Sequence, residues 1–473
     1  FTDSAPAAPA TAAAAAAAFP KPEREEVAFL QYTSGSTSEP KGVMITHGNL
    51  ADNLDLIVTG LSAGDDTVVV SWLPQYHDMG LIGSYLGCLF CGGRGYYMSP
   101  VTFIRNPPLW VELISKYRGT HMQAPNFAYG LVARKFLARA DRPQLDLRCV
   151  RHMINGAEPI DRLTLDRFQA TFEKHGLPPG VVFPTYGLAE HTVYVCSNGR
   201  QRITVDKLAL ETRREVVLAD RGADWMYAEG AGGEEARPTS VMIGCGKPSA
   251  SRGVDLRIVD TETGEPVPGE GRVGEIWIRS GSRAAGYWGQ PEKTLEDFGG
   301  GCTSEFDVDA GYLKTGDLGF LHGEELFICG RQKDLIIIRG RNHYPQDIER
   351  TAEGAAGGAL RGGCSAAFAV PLGGRKGAAE EVLCYVGELA DPAACDPAAV
   401  ASEVRRAVSA AHGAALSAVR LLAPRTVPKT TSGKIARAWC RRAFVEGALQ
   451  VVYSLDDDAA AGEEEEEAGG AAE

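Results

Sequence analysis

A loop rich in hydroxyl and glycine residues, directly after an apolar run, constrains this chain most. The apolar run is Val27-Ala28-Phe29-Leu30, and the loop runs from Thr33 to Val43 as Thr-Ser-Gly-Ser-Thr-Ser-Glu-Pro-Lys-Gly-Val. Because glycine allows close backbone approach, N–H groups and hydroxyls of such a loop can donate to phosphate oxygens, and Lys41 adds a positive charge. The pattern predicts a strand that leads into a phosphate-binding loop, although a flexible surface loop is the alternative.

Length and charge limit the classes of protein that this chain can belong to. Its 473 residues can form two or three domains, and the formal net charge is −13. Nine acidic residues and no basic one lie between Asp456 and Glu473, so the rest of the chain carries only −4 (48 basic against 52 acidic residues). A near-neutral body with an acidic tail argues against nucleic-acid binding.

The same composition also predicts where in the cell the protein is located. No apolar run approaches about 18 residues, so we expect no transmembrane helix. The eleven cysteines are best explained as small buried side chains in a reducing environment, which favours the cytoplasm.

Composition also predicts the domain boundaries. We expect a low-complexity linker over residues 1–25, a large domain over 26–331, a small domain over 332–453 and a disordered acidic tail over 454–473.

The central part of the chain has an α/β pattern. Thr67–Leu73, Cys149–Ala157 and Gly180–Gly187 have the composition of buried strands, and Leu163–Lys174 has helical spacing. Strands that alternate with helices indicate a parallel sheet, which binds ligands at the carboxyl ends of its strands. From Val254 onward, polar and apolar residues alternate, which predicts antiparallel strands with one wet face.

Further motifs follow the phosphate loop in a fixed order. They are Tyr186-Gly187-Leu188-Ala189-Glu190, the run from Gly311 to Gly319, Gly330-Arg331-Gln332-Lys333-Asp334 and the run from Pro428 to Lys434. Together with the loop they resemble the acyl-adenylate-forming superfamily. Four other stretches resemble the fatty acyl-AMP ligases within it: Trp72–Gly83, Gln123–Tyr129, Asn155–Pro159 and Gly340–Glu349.

The resemblance implies a fold and an activity. The fold is an α/β large amino-terminal domain of parallel sheets with helices plus a β-rich subdomain, followed by a small mobile α+β carboxy-terminal domain. The family's stretch before the phosphate loop is missing here. The implied reaction uses ATP and Mg²⁺ to convert a fatty acid into acyl-adenylate and pyrophosphate. The acyl group then passes to the phosphopantetheine thiol of an acyl carrier protein.

The resemblance also assigns roles to individual residues. The implied catalytic residues are Lys434, His77 and Lys41. The implied ATP-binding residues are Thr33, Ser34, Gly35, Ser36 and Thr37 for the phosphates, Asn155, Gly156, Ala157, Tyr186 and Gly187 for adenine, and Asp317 and Arg331 for ribose or phosphate. Glu190 is the implied Mg²⁺ ligand, Lys333 the implied hinge, and Pro125, Asn126, Phe127 and Tyr129 the implied lining of the acyl pocket.

Each role has a plainer alternative. Glu190 can be a surface residue, Asp317 can cap a turn, and Lys434 can be an ordinary loop lysine. His77 can be a core histidine bonded to its neighbouring aspartate, and the apolar cluster from residue 125 to 129 can belong to the core.

Three functions remain open at this stage. Besides the fatty acyl-AMP ligase, the chain can be a fatty acyl-CoA synthetase or a non-catalytic domain that binds ATP or acyl-adenylate. The polar segment between Val195 and Gly244 favours the ligase, because the fatty acyl-AMP ligases carry a distinguishing insertion near this place. A tolerated surface loop is the alternative for that segment.

Overall fold

The computed structural model of the chain describes residues 21–33, 40–219, 238–299, 311–371, 381–430 and 433–456. Residues 34–39 of the predicted phosphate loop, which include the predicted phosphate-binding residues Ser34, Gly35, Ser36 and Thr37, therefore lie outside the described residues. Residues 1–20 of the predicted linker, 220–237 of the polar segment and 457–473 of the predicted tail also lie outside them.

A short hairpin carries the two ends of the predicted phosphate loop. Strand β1 (Val27–Tyr32) pairs antiparallel with β2 (Gly42–Thr46), and helix α1 (His47–Gly60) follows directly. The Thr46 hydroxyl accepts from the backbone N–H of Asn49, and the Asn49 side chain accepts from the backbone N–H of Thr46, which fixes the start of α1. The strand predicted before the loop is confirmed.

The predicted parallel sheet is confirmed. Its described strands lie in the order β4-β3-β5-β6-β7, and every neighbouring pair is parallel. The strands are β3 (Val68–Ser71), β4 (Arg94–Tyr97), β5 (His121–Pro125), β6 (His152–Gly156) and β7 (Val182–Pro184). The helical elements between them are a π-helical segment (Met79–Leu86), α2 (Gly87–Phe90), α3 (Pro100–Arg105), α4 (Leu109–Tyr117), α5 (Asn126–Leu137) and α6 (Arg162–Phe172).

The predicted helix over 163–174 corresponds to α6 and the 3-10 turn Glu173–His175. Asp161 begins the helix by accepting from the backbone N–H of Thr164. Gly176 ends the turn in the left-handed region, with φ of 81°.

Two antiparallel units follow the parallel sheet. The polar segment forms β8 (Arg202–Asp206), α7 (Lys207–Arg213) and β9 (Thr239–Ile243), and its two strands pair with each other. The second unit is a sheet in the order β10-β11-β12-β13, as the alternating pattern predicted. Its strands are β10 (Asp255–Val259), β11 (Gly274–Arg279), β12 (Leu313–His322) and β13 (Glu325–Arg331), with α8 (Pro291–Phe298) between β11 and β12.

The remaining elements, from residue 332 onward, are called the carboxy-terminal unit here. A hairpin is followed by a mixed sheet in the order β16-β17-β18-β19, whose middle pair is parallel. The elements are β14 (Ile336–Ile338), β15 (Arg341–His343), α9 (Pro345–Ala355), β16 (Leu360–Pro371), β17 (Glu381–Leu389), α10 (Pro397–His412), β18 (Leu416–Leu422), α11 (Arg437–Val445) and β19 (Val451–Asp456). Among the residues that the structure describes, no helix combines the length and the apolar character needed to cross a membrane.

Tyr129 belongs to the core around the parallel sheet. Its side chain is fully buried, and its hydroxyl donates to the carbonyl of Ile154 at 2.7 Å. Its ring makes edge contacts with Trp110 and Phe168, at centroid distances of 5.8 and 5.0 Å. Of the two interpretations of this residue, the contacts favour core over acyl-pocket lining.

We expect Tyr129→Phe to lower the free energy of unfolding by about 1 kcal/mol, because it leaves one buried carbonyl without its donor. Tyr129→Ala should cost about 3 to 5 kcal/mol, because it opens a cavity between Trp110 and Phe168. Urea unfolding followed by fluorescence measures both changes. A cost for the Ala variant no larger than that for the Phe variant would contradict the core assignment.

Candidate active site

A single cleft gathers most of the predicted site residues. It has a volume of about 2400 Å³ and lies between the carboxyl ends of the parallel strands, the antiparallel sheet and the carboxy-terminal unit. The predicted residues that line it are Thr33, Lys41, His77, Asn126, Phe127, Gly156, Ala157, Tyr186, Gly187, Glu190, Asp317, Arg331, Lys333 and Lys434. Asn155, Pro125 and Tyr129 are not among the described lining residues.

Small residues form one wall of the cleft, where β6 and β7 end. A Cβ on Gly156 would lie 2.9 Å from the carbonyl oxygen of Thr185, and one on Gly187 would lie 1.8 Å from that of Val193. Ala157 has φ of 65°, which turns the chain sharply after β6. Neighbouring backbone therefore leaves no room for a side chain at Gly156 or Gly187, so neither residue presents one to the cleft.

Asn155 supports that wall from behind. Its side chain is fully buried and donates from Nδ2 to Asn126 Oδ1 at 3.0 Å. Its Oδ1 has no hydrogen-bond partner within the described part of the chain. The residue therefore ties the end of β6 to the start of α5.

Asp317 joins three parts of the chain. Tyr186 donates its hydroxyl to Asp317 Oδ2 at 2.8 Å, and Arg331 Nε donates to Oδ1 at 3.2 Å. Asp317 and Arg331 are cross-strand partners on β12 and β13. Burial raises the pKa of the Tyr186 hydroxyl, and the negative charge of Asp317 raises it further. The carboxylate is thus directed into the cleft by its partners and does not cap its own turn.

Lys434 enters the cleft from the carboxy-terminal unit. It follows a tight turn in which the Thr430 N–H donates to the Lys434 carbonyl at 2.8 Å. Burial lowers the pKa of its ammonium group, and Arg331 adds to this effect. The nearby carboxylates of Asp78, Glu158 and Asp317 oppose it. The ammonium therefore lies within electrostatic reach of carboxylates from three separate parts of the chain.

His77 lies at the same end of the cleft and is bonded to Asp78. His77 Nδ1 is 2.6 Å from Asp78 Oδ1, which also accepts from the backbone N–H of Met79 at 2.6 Å. Burial opposes the ionisation of Asp78, but His77 and then Lys434 lower its pKa overall. Both interpretations of His77 are compatible with this geometry, since it is bonded to Asp78 and also lines the cleft.

The sequence did not single out Glu158, which follows the small-residue wall. Its Oε1 accepts from the backbone N–H of Phe127 at 2.5 Å and so caps the start of α5. Burial raises the pKa of this carboxyl group, although Lys434 and other cations oppose the effect.

Lys41 and Glu190 lie in a second polar group, together with two residues that sequence reasoning missed. The Lys41 ammonium is 3.6 Å from Asp297 Oδ2 and 4.3 Å from the ring centroid of Tyr287. The Tyr287 hydroxyl is 3.0 Å from Glu190 Oε1 and 3.1 Å from Asp297 Oδ2. Burial raises the pKa of Glu190 and lowers that of Lys41.

This second group fits a hard divalent cation that carries phosphate. Glu190 and Asp297 offer carboxylate oxygens, which Mg²⁺ prefers, and Lys41 offers charge to a phosphate. Thr33 and Lys41 remain adjacent across the loop, since the Lys41 N–H donates to Thr33 Oγ1 at 3.2 Å.

Lys333 lies in the 3-10 turn Gln332–Asp334, between the antiparallel sheet and the carboxy-terminal unit. Its side chain is exposed, and the neighbouring Asp334 is paired with Arg437 of α11 at 3.5 Å. The position suits a hinge, and its role as one stays a prediction.

The polar segment contacts the carboxy-terminal unit directly. Arg341 Nε donates to Glu211 Oε2 at 2.7 Å, and Asn342 Nδ2 donates to the Glu211 carbonyl at 3.0 Å. Val205 and Leu210 of the segment pack in one cluster with Tyr344. The segment is thus part of the packed structure in its described residues, which argues against a tolerated surface loop.

Known proteins that are similar to this chain include AMP-binding enzymes and fatty-acid ligases. The family described as AMP-binding enzyme matches residues 2–288. The medium-chain-fatty-acid–[acyl-carrier-protein] ligase JamA of Moorena producens is 39% identical over 431 residues, which cover 90% of this chain and 69% of JamA. The long-chain-fatty-acid–AMP ligase FadD32 of Mycolicibacterium smegmatis is 36% identical over 462 residues, which cover 91% of this chain and 70% of FadD32.

A solved structure has the same fold. It comes from a study of fatty acyl-adenylate ligases from E. coli and L. pneumophila, and it is 33% identical with a TM-score of 0.77. The match covers 91% of this chain and 72% of that chain. The chain therefore has the α/β adenylate-forming fold, and it belongs to the AMP-binding enzyme family, in its fatty acyl-AMP ligase branch.

Proposed function

We propose that this enzyme converts a fatty acid and ATP into acyl-adenylate and pyrophosphate, and then passes the acyl group to the phosphopantetheine thiol of an acyl carrier protein. The observation that carries the proposal is the position of Lys434, whose ammonium reaches one cleft with Asp317 and the His77–Asp78 pair. The names of JamA and FadD32 support the same substrate class.

The first step brings two anions together, because a carboxylate attacks the α-phosphate. Lys434 is proposed to contact both groups as negative charge shifts between them, which is where a positioned cation lowers the barrier most. His77 is proposed to donate a hydrogen bond to the oxygens of the same carboxylate and α-phosphate. Asp317, directed by Tyr186 and Arg331, is proposed to accept from the ribose hydroxyls, with adenine on the Gly156–Ala157 wall.

Mg²⁺ is proposed to bind at Glu190, with Lys41 and the loop from Thr33 on the outer phosphates. When bound, the cation would supply positive charge that offsets the charge of the phosphate groups. Tyr287 orients the Glu190 carboxylate through its hydroxyl and holds Asp297 on the other side.

The two steps are proposed to use two arrangements of a large domain (26–331) and a small mobile domain (332–453). Lys333 is the proposed hinge, and rotation there would withdraw Lys434 and admit the thiol. The contacts of Glu211 with Arg341 and Asn342 hold the first arrangement, which disfavours free CoA as acceptor. A fatty acyl-CoA synthetase is the alternative if these contacts have no such effect.

We expect the full-length enzyme to exchange labelled pyrophosphate into ATP only when Mg²⁺ and a fatty acid of eight to eighteen carbons are both present. EDTA should abolish the exchange, because the phosphate charge is then unopposed. The measurement is label recovered in ATP. Exchange no greater than the blank in folded protein would contradict catalysis and favour a non-catalytic binding domain.

Lys434→Ala should lower the adenylation rate by about 100-fold or more with little change in ATP binding, because its contact is proposed to form mainly in the transition state. Asp317→Ala should weaken ATP binding as well, because contacts with ribose hydroxyls exist in the ground state. Single-turnover rates and calorimetric ATP titrations separate the two effects. Identical patterns in both variants would overturn this division of roles.

Glu211→Ala should increase acyl-CoA formation at least about tenfold, while acyl-AMP formation stays within about twofold. The reason is that a free-energy difference near 3 kcal/mol between the two domain arrangements corresponds to roughly 100-fold in their populations. The point variant is preferable to deleting residues 200–237, because Val205 and Leu210 are core residues. Products are measured by mass spectrometry with CoA and with loaded carrier protein.

The matched control is Glu215→Ala, which breaks the exposed Arg213–Glu215 ion pair on the same segment. If wild type already makes acyl-CoA as fast as acyl-AMP, the acyl-CoA synthetase interpretation is correct. If both variants behave alike, the Glu211 contacts do not control acceptor choice.

A further inference from the structure

A buried cluster of metal-binding side chains lies where α7 meets the carboxy-terminal unit. It consists of Glu211 from α7, His343 at the end of β15 and His412 at the end of α10. Each residue is only 1% exposed, and one ligand atom from each lies within 4.8 Å of the other two. None of the three is among the described residues that line the cleft.

Two polar atoms of this cluster have no hydrogen-bond partner among the described residues. Glu211 Oε1 and His343 Nδ1 are buried and have no hydrogen-bond partner within the described ranges. A buried polar atom left in this state destabilises the fold, and a bound ion would remove that penalty. Both atoms belong to side chains that ligate transition metals.

The third side chain already has a cation beside it. His412 Nδ1 is 2.8 Å from the Lys207 ammonium, and His412 Nε2 is 2.8 Å from Thr351 Oγ1. The same ammonium is 3.8 Å from Glu211 Oε1. The Ala411 carbonyl, 3.4 Å from the same ammonium, is a second acceptor to which Lys207 can donate when a metal ion takes its place beside His412.

We propose that Glu211, His343 and His412 bind a divalent transition metal ion of the zinc class, which takes the position between them that the Lys207 ammonium now approaches. Two imidazoles and one carboxylate, with water in the fourth position, form a common zinc ligand set, and imidazole nitrogen disfavours Mg²⁺. Tetrahedral ligand atoms about 2 Å from an ion lie about 3.4 Å apart, so atoms that now lie within 4.8 Å of one another need to approach by at most about 1.4 Å.

The surroundings suit this exchange of cations. Arg341 holds the other oxygen of Glu211 through its Nε at 2.7 Å, which orients the carboxylate from outside as metal-site partners do. The ion would join α7 to two elements of the carboxy-terminal unit. It therefore strengthens the same junction that Glu211 makes with Arg341, and its existence does not depend on the reaction proposed above.

The test measures zinc binding by the chain after EDTA has removed its metal ions, in the absence of ATP and Mg²⁺. Equilibrium dialysis with metal analysis quantifies the binding. Wild type should bind one zinc ion. His343→Asn and His412→Asn should each weaken binding at least about 100-fold, since even outer partners of a metal contribute about 10- to 100-fold. Lys207→Met should instead tighten binding roughly tenfold or more, because it removes a competing positive charge.

His322→Asn is the matched control, because this histidine faces Glu270 outside the cluster and should leave zinc affinity unchanged. Substituted Co²⁺ should show tetrahedral visible bands without a thiolate charge-transfer band, which excludes binding by cysteines. The proposal is overturned if neither wild type nor Lys207→Met binds zinc, or if both histidine variants, folded by circular dichroism, bind it as wild type does.

Discussion

The carboxylate of Asp317 is the contact on which the cleft depends. Its two oxygens accept hydrogen bonds from the Tyr186 hydroxyl, at the end of the parallel sheet, and from the Arg331 guanidinium, on the last strand of the antiparallel sheet. It also lies within electrostatic reach of Lys434 from the carboxy-terminal unit. Three separately packed parts of the chain therefore meet at one buried charge. Because such a charge is costly unless it is paired, the contacts of Asp317 with Tyr186 and Arg331 fix the two sheets relative to each other, whereas Lys434 interacts with it only electrostatically.

The sequence predicted the framework well because its signals are local. The strands that became β3, β6 and β7 are short apolar runs bounded by turn residues, and α6 has clear helical spacing between Asp161 and Gly176. The parallel arrangement follows from the alternation of such strands with helices. Motifs that follow the strands then had to share one edge of the sheet, and the cleft contains them.

What the sequence did not predict depends on contacts between distant segments. Tyr287 and Asp297 complete the surroundings of Lys41 and Glu190, yet they lie about a hundred or more positions from Glu190 and nothing in their local pattern marks them. Glu158 is a similar case, because its carboxylate accepts from the backbone N–H of Phe127 in the first turn of α5, about thirty positions away. Tyr129 shows the opposite error, because an apolar run beside a motif resembles a pocket wall until its buried contacts are known.

Three cations of the cleft, Lys41, Arg331 and Lys434, each have a carboxylate of the chain nearby. Lys41 faces Asp297, Arg331 faces Asp317, and Lys434 is near Asp78. A ligand with one negative charge would have to compete with each of these partners and would gain little. A nucleoside triphosphate with its divalent cation can contact several of these cations at once. Each pairing with a carboxylate of the chain that is lost is then replaced by a pairing with a phosphate. We therefore propose that the cleft binds a polyanion first and leaves the charge on Lys434 for an approaching carboxylate.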